Sequence, residues 1–162
     1  MLKAKCTHGA LVIVRNSDDE YLLVRQRLRE RNRWSFPGGF LNPSEDPIDG
    51  AVRELREEAG LDLPTQRLEL LDQYRQSWLR FFGHFDHVYV ASVGTAELRP
   101  KRSIEIRACG WFAADRLPEL TASTHEALRR LRHKEREAAR LDSAAGSLRS
   151  GDKKLASEVA ST

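Results

Sequence analysis

The stretch of sequence that decides the fold runs from Gly39 to Leu61 and reads GFLNPSEDPIDGAVRELREEAGL. Its second half carries the signals that start and stop a helix, because Asp46 is a candidate N-cap and Pro47 suits the first helical position. Gly60 can adopt the left-handed conformation that ends a helix. Between these signals, apolar residues recur three and four positions apart, at Ile48, Ala51, Val52, Leu55 and Ala59. The stretch therefore predicts a helix that packs one apolar face on a sheet.

The other face of the predicted helix is acidic. Glu54, Glu57 and Glu58 stand three and four positions apart, so they form a compact triangle on one helical face, with Arg53 beside them. Because like charges this close repel, a hard divalent cation that prefers oxygen ligands, Mg²⁺ or Mn²⁺, is a natural partner for the triangle. The alternative is a solvated charged face, which is common on exposed helices.

The spacing of these residues favours the metal site over the solvated face. The pattern G-x5-E-x7-R-E-U-x-E-E-x-G-U, the Nudix box, is matched at every fixed position, by Gly39, Glu45, Arg53, Glu54, Glu57, Glu58 and Gly60. Its two aliphatic positions, written U, hold Leu55 and Leu61. A chance match is on the order of one in a million for a chain of this composition. The chain therefore resembles the Nudix hydrolases, over roughly Thr7 to Arg140.

The resemblance implies an α/β fold, a Nudix-type α/β/α sandwich with a central mixed β-sheet. The rest of the sequence agrees with that architecture. We expect five strands, at Ala10–Val14, Tyr21–Val24, Leu68–Gln73, His87–Val93 and Ile104–Phe112. We also expect a loop before the box, at Trp34–Gly39, and a second helix at Thr121–Arg140. Residues 1–140 would form the Nudix domain. Residues 141–162 are rich in Ser, Gly, Ala and Lys, and we expect them to be a flexible tail.

The resemblance also implies an activity, the hydrolysis of a pyrophosphate linkage in a nucleoside diphosphate joined to another group X. Carried over by position, it makes Glu57 and Glu58 ligands of Mg²⁺ or Mn²⁺. Glu54 would be a further ligand or the group that accepts the proton from water. The backbone carbonyl of Gly39 would also bind the metal, and Arg53 would pair with Glu45 to orient the loop against the helix.

Two positions near the box extend or modify this assignment. Glu105 stands six residues before Trp111, a separation found in some relatives for an extra metal-binding glutamate. Its alternative role is an exposed strand residue. Ser44 stands where members of the family commonly have glycine, immediately before the box glutamate, so we expect a local difference in the path of the loop.

A series of arginines precedes the box at every second position: Arg25, Arg27, Arg29, Arg31 and Arg33. Such side chains can grip phosphates through bidentate contacts, and Arg25 and Arg27 are the candidates for binding substrate. The alternative is a solvated loop or strand edge, since exposed charged side chains are commonly just solvated.

Three weaker features have ordinary alternatives. His84, Asp86 and His87 could bind a separate metal, but a polar cluster at a strand edge is the simpler interpretation. An aromatic set, Trp34, Tyr74 and Trp78, could stack a nucleobase or fill the core. The arginine-rich second helix could touch RNA, but it lacks the pattern of a known binding module.

Composition limits the remaining possibilities. The chain has 162 residues and a net charge of +3, too small an excess for polyanion binding to be the default. The partner that the resemblance implies is a small nucleoside diphosphate derivative. The two cysteines, Cys6 and Cys109, suggest neither a disulfide framework nor a zinc site. The apolar run Ala10–Val14 is too short for a signal-peptide core or a membrane span, so we expect a cytoplasmic protein without a membrane partner. A non-catalytic nucleotide-sensing or RNA-binding module on the same fold is the alternative function.

Overall fold

A computed structural model of the chain describes residues 6–27, 32–76, 83–94, 98 and 105–159, with side chains described up to residue 144. By its internal contacts the chain divides into a first unit ending at Ala127 and a second unit beginning at Leu128. In order, the elements are β1 (Thr7–Arg15), β2 (Glu20–Gln26), β3 (Gly38–Phe40), α1 (Pro47–Ala59), a 3-10 turn (Thr65–Arg67), β4 (Glu69–Arg75), β5 (His84–Ser92), β6 (Ile106–Ala113) and α2 (Ala122–Val159).

The strands form one mixed six-stranded sheet in the order β4-β5-β1-β2-β6, with β3 paired to β1 outside this path. Strand β1 lies parallel to β5 along its whole length, from the pair Thr7 and His84 to the pair Arg15 and Ser92. All the other pairings of strands are antiparallel. The predicted α/β class with a central mixed sheet is confirmed.

Strand β1 is buried on both faces. Ala10, Val12 and Val14 point to the face that α1 covers, where they form one apolar cluster with Leu55. Leu55 is 0% exposed, and full burial of a leucine side chain contributes about 2 kcal/mol to the free energy of unfolding. The alternate residues, such as Ile13 with 1% exposed, are buried on the opposite face.

The opposite face is covered by the segment before the box and by the start of α2, within the first unit. Phe36 lies edge-on to Tyr21 with ring centroids 6.0 Å apart. The Phe36 N–H donates to the hydroxyl of Thr124 at 3.2 Å, and Thr124 is 0% exposed. The sheet therefore lies between α1 and the first residues of α2.

Helix α1 begins and ends where the sequence predicts. The Asp46 carboxylate accepts a hydrogen bond from the N–H of Ile48 at 3.1 Å, and Pro47 is the first helical residue. Gly60 closes the helix in the left-handed conformation, with φ of 68°, and its N–H donates to the carbonyl of Leu55. Both predicted caps are confirmed.

The predicted loop before the box is wrong at its end, because Gly38 and Gly39 belong to the short strand β3. A Cβ atom on Gly38 would lie 2.1 Å from the carbonyl oxygen of Ala10, so only glycine lets the two backbones approach this closely. Paired glycines usually punctuate a chain, whereas these permit strand pairing. Of the predicted strand Ile104–Phe112, residue Ile104 lies outside the described part of the chain.

Helix α2 continues to Val159, well beyond the end at Arg140 that the sequence predicts. Residues 141–159 have many good helix formers and no proline. Gly146 and Gly151 each lower the stability of the helix by about 1 kcal/mol relative to alanine, which does not break it. Flexibility of residues 141–162 stays a prediction. In the part of the chain that the structure describes, no helix has the length and apolarity to cross a membrane.

Ser44 provides a test of the loop that leads into α1. Its φ is 63°, in the left-handed region, where an L side chain costs about 1 kcal/mol. The exposed Ser44 side chain can therefore be removed with a gain: Ser44→Gly should raise the free energy of unfolding by up to about 1 kcal/mol in denaturant titrations. Ser44→Ala, which keeps the Cβ atom, is the matched control, and equal stability of the two variants would contradict the assigned strain.

The two free cysteines should differ in reactivity. Burial, with a smaller effect of the nearby Glu58 charge, raises the pKa of Cys109 to about 12, whereas Cys6 is exposed. At about pH 8, iodoacetamide should therefore alkylate Cys6 in the folded protein and reach Cys109 only after unfolding, as peptide mass spectrometry would show. Cys6→Ser should abolish the rapid reaction, and rapid alkylation of Cys109 in that variant would refute the prediction.

Candidate active site

The Arg53 guanidinium ties the box loop to the box helix. Its Nε and Nη2 donate to the two oxygens of Glu45 at 2.8 and 3.0 Å, and Nη2 also donates to the Phe40 carbonyl at 3.2 Å. On the helix, Nη1 donates to Glu54 Oε1 at 2.8 Å and to Glu57 Oε2 at 3.3 Å. The predicted pairing of Arg53 with Glu45 is confirmed, and the same side chain also neutralises two of the three box acids on α1.

The pair between Arg53 and Glu45 is charged over a wide pH range. Hydrogen bonds from Arg53 lower the pKa of Glu45 to about 2, and the same hydrogen bonds raise the pKa of Arg53 above its ordinary value. A backbone hydrogen bond from the Asn42 N–H to Glu45 Oε2 at 2.8 Å acts in the same direction on Glu45. The loop is therefore held in one shape by a bidentate ion pair rather than by an apolar contact.

Gly39 brings the backbone of β3 directly against the Glu54 carboxylate. A Cβ atom at Gly39 would lie 2.6 Å from Glu54 Oε1, so a larger residue here would displace the Glu54 carboxylate. The box glycine thus leaves a backbone segment and an acid of α1 side by side. The sequence pattern places these two residues in the same motif, and the structure brings them into contact.

Glu58 is the buried acid of the triangle, with 5% of its surface exposed. Its Oε2 accepts from the N–H of Gly38 at 2.8 Å, and its Oε1 accepts from Gln26 Nε2 at 2.5 Å. Gln26, on β2, is a site residue that the sequence analysis missed. Alternation along β2 could have identified it, since it follows Leu22 and Val24 on one face of the strand.

The three box acids lie together on α1 but do not form a closed cage. Within the described part of the chain, no three His, Cys, Asp or Glu side chains are arranged to hold a metal ion. Arg53 engages Glu54 and Glu57, while Glu58 turns toward Gly38 and Gln26. The donor chemistry nevertheless fits a hard divalent cation, because the Glu54 carboxylate stands beside the Gly39 backbone and the Glu57 carboxylate is half-exposed.

The predicted residues outside the box lie at the ends of β2 and β6. Glu105 is exposed, and its backbone carbonyl accepts from the N–H of Arg27 at 2.7 Å, beside the strand that carries Gln26. Its part in metal binding stays a prediction. Arg25 is half-buried and Arg27 lies at the end of the strand, whereas Arg33 pairs with Glu119 at 2.8 Å. Arg29 and Arg31 lie outside the described residues.

His84, Asp86 and His87 do not form one cluster, because successive side chains on β5 point to opposite faces. Asp86 Oδ1 lies 3.1 Å from His84 Nε2, and both residues are buried. His87 contacts His8 on the other face, with ring nitrogens 3.0 Å apart, and burial and His8 lower the pKa of His87. The expected position at a sheet edge is also wrong, since β4 pairs outside β5.

The remaining weak features serve mainly as structure. Trp34 lies edge-on to Phe112 with ring centroids 4.6 Å apart, and Tyr74 is 8% exposed. Trp78 lies outside the described residues. Residues 132–144 of α2 are all exposed, which suits the solvated face that the sequence analysis preferred to an RNA surface.

Comparison with known proteins identifies relatives along most of the chain. A family model described as NUDIX domain matches residues 7–133. Nudix hydrolase 2 of Arabidopsis thaliana is 36% identical over 120 residues, which are 68% of this chain and 41% of that protein. The dihydroneopterin triphosphate diphosphatase of Haemophilus influenzae is 26% identical over 138 residues, 78% of this chain and 87% of that protein.

A solved structure supports the same relationship. The crystal structure of the MutT NUDIX hydrolase from Burkholderia pseudomallei is 29% identical, matches with a TM-score of 0.67, and covers 78% of this chain and 98% of that one. The chain spans 35%, 41% and 49% of the length of three of the curated relatives that it matches. The matched domain, the fold and the complete box together show that this chain belongs to the Nudix family.

Proposed function

We propose that this protein is a hydrolase that cleaves a pyrophosphate linkage in a nucleoside diphosphate joined to another group X, with Mg²⁺ or Mn²⁺ as cofactor. Nudix hydrolases generally need a divalent metal. The Haemophilus influenzae relative is named as a diphosphatase of a triphosphate compound, which supports the reaction type. The cytoplasm stays the predicted compartment, on the sequence arguments given above.

One observation carries the proposal: Arg53 holds two acids of α1 and the loop acid Glu45 in a single hydrogen-bonded assembly. A solvated charged face needs no such assembly, because exposed ion pairs contribute little to stability. Glu54 and Glu45 are largely buried, at 12% and 15% exposed. Burying acids around one guanidinium costs free energy of desolvation. Such buried, charge-paired acids are typical of sites that carry out a reaction.

The proposed site would hold divalent cations with Glu54, Glu57, Glu58 and the Gly39 carbonyl, and Glu105 is a further candidate ligand. When bound, such cations neutralise phosphate oxygens and make water more acidic. In the proposed reaction, the oxygen of water attacks phosphorus, the bond to the bridging oxygen breaks, and a carboxylate of the triangle accepts the proton.

The other residues of the site position the substrate and the acids. Arg25 and Arg27 would grip substrate phosphates by charge-assisted hydrogen bonds. Arg53 and Gln26 would orient Glu54, Glu57 and Glu58 without touching the reacting atoms. A non-catalytic sensor is the less favoured function, because a sensor does not need the three acids and Arg53, all of which are present.

Glu57→Gln tests the reaction directly, because it removes one negative charge from the triangle and keeps the size of the side chain. We expect kcat for Mg²⁺-dependent hydrolysis of the preferred nucleotide to fall by at least about 100-fold. A phosphate-release screen over nucleoside triphosphates, nucleotide sugars and dinucleotides would first identify that nucleotide.

The matched control for this experiment is Glu69→Gln, an exposed glutamate at the start of β4. It should hydrolyse the nucleotide at the wild-type rate. Wild-type turnover by Glu57→Gln would show that the assignment of the triangle is wrong.

The ion pair between Arg53 and Glu45 gives a dependence of stability on pH. The pKa of Glu45 falls from 4.5 to about 2 on folding. The ionised Glu45 therefore stabilises the folded state fully at pH values above 4.5, and this stabilisation is lost as the pH falls toward 2. Glu45→Gln should therefore be less stable than wild type at about pH 6, and the difference should shrink below about pH 4.5.

Thermal unfolding at a series of pH values measures this difference. Glu69→Gln again serves as the control, and its difference from wild type should stay small throughout. A stability difference for Glu45→Gln that is constant from about pH 6 to about pH 3 would contradict the pairing.

A further inference from the structure

A small cavity lies at the end of β2, beside the start of β6. Its volume is about 290 Å³, and its described lining residues are Arg25, Gln26, Arg27, Asn32 and Arg107. Three of these five side chains are arginines, and none of the described lining residues is acidic. We call it the arginine cavity. Its size and charge suit an anionic group such as a phosphate.

A β-bulge adds Arg107 to the cavity. Arg25 pairs with Ala108 and Gln26 pairs with Ile106, so Arg107 has no residue opposite it on β2. A bulge re-aims the extra side chain, and bulges are over-represented next to active sites. Arg107 is exposed, and it joins Arg25 of the neighbouring strand and Arg27, which directly follows that strand.

Arg25 is held in place from one side and has an unused donor. Its guanidinium carbon lies 5.3 Å from the centroid of the Trp34 ring, an orientation that favours a cation over an aromatic face. The Trp34 ring packs edge-on against Phe112, and the backbone N–H of Trp34 donates to the backbone carbonyl of Glu119 at 2.8 Å. The Nε atom of Arg25 is buried, with no hydrogen-bond partner among the described residues. A buried donor without a partner costs free energy.

The arginine cavity adjoins the box acids but is separate from them. Gln26 lines the cavity and also donates to Glu58 Oε1, so it joins the two places. None of the three box acids is among the described residues that line the cavity. An anion in the cavity is therefore next to the acid triangle, not inside it.

We propose that the arginine cavity binds a phosphate group of the substrate that is not part of the cleaved linkage. The preferred substrates are then those whose X group ends in a phosphate, such as nucleoside triphosphates, rather than those whose X group is an uncharged sugar. This preference rests on the proposed hydrolysis, whereas the binding of a phosphate-type anion in the cavity does not.

The first experiment measures anion binding without turnover. Isothermal titration of the full chain with inorganic tripolyphosphate, in buffer with EDTA, should give a dissociation constant about tenfold higher for Arg107→Gln than for wild type. Arg116→Gln removes the same charge from an arginine that is 82% exposed, and it should bind like wild type. Equal binding by the wild type, Arg107→Gln and Arg116→Gln would overturn the proposal.

The second experiment uses two nucleotides that differ in X. For ATP, in which X is a phosphate, Arg107→Gln should raise KM about tenfold and leave kcat nearly unchanged, whereas KM for ADP-glucose should change little. Equal effects on both nucleotides would overturn the substrate preference. If the wild type binds tripolyphosphate through Arg107 but hydrolyses no nucleotide, the cavity stands as an anion site and the proposed function fails.

Discussion

The site depends on one guanidinium that connects two parts of the chain. Arg53 belongs to α1, and its bidentate contact with Glu45 fixes the loop that precedes the helix. The third nitrogen of the same group reaches Glu54 and Glu57. Because the planar guanidinium has its donors in a rigid fork, the loop and the helix cannot move independently without breaking several hydrogen bonds. A lysine at this position would keep the charge and lose the fork.

The crowding of negative charge around α1 has a specific structural solution. Three acids on adjacent turns would repel one another, but each is given a different partner. Glu54 and Glu57 share Arg53, and Glu58 accepts from the Gly38 backbone and from Gln26. Any cation that binds here must compete with these partners. The acids are thus stable before metal binding, and metal affinity depends on how easily Arg53 and Gln26 give way.

The sequence predicted the parts of the structure that depend on local signals. The caps of α1 and the strand pattern of the mixed sheet follow from residue type and periodicity, and the Arg53–Glu45 pair follows from the box. The missed parts depend on contacts between distant segments. Gln26 meets Glu58 across 32 positions, and β3 forms because glycines allow two backbones to approach. The bulge at Arg107 is set by strand register, which no short motif encodes.

The parallel pairing of β1 with β5 has a consequence for the synthesis of the chain. Residues Thr7–Arg15 leave the ribosome well before His84–Ser92, the strand that pairs with them along their full length. Until then, the apolar edge of β1 has hairpin and β3 contacts on one side only. Such an unpaired edge can template association with other chains, so a nascent protein stalled before β5 is the form most exposed to aggregation and to capture by chaperones.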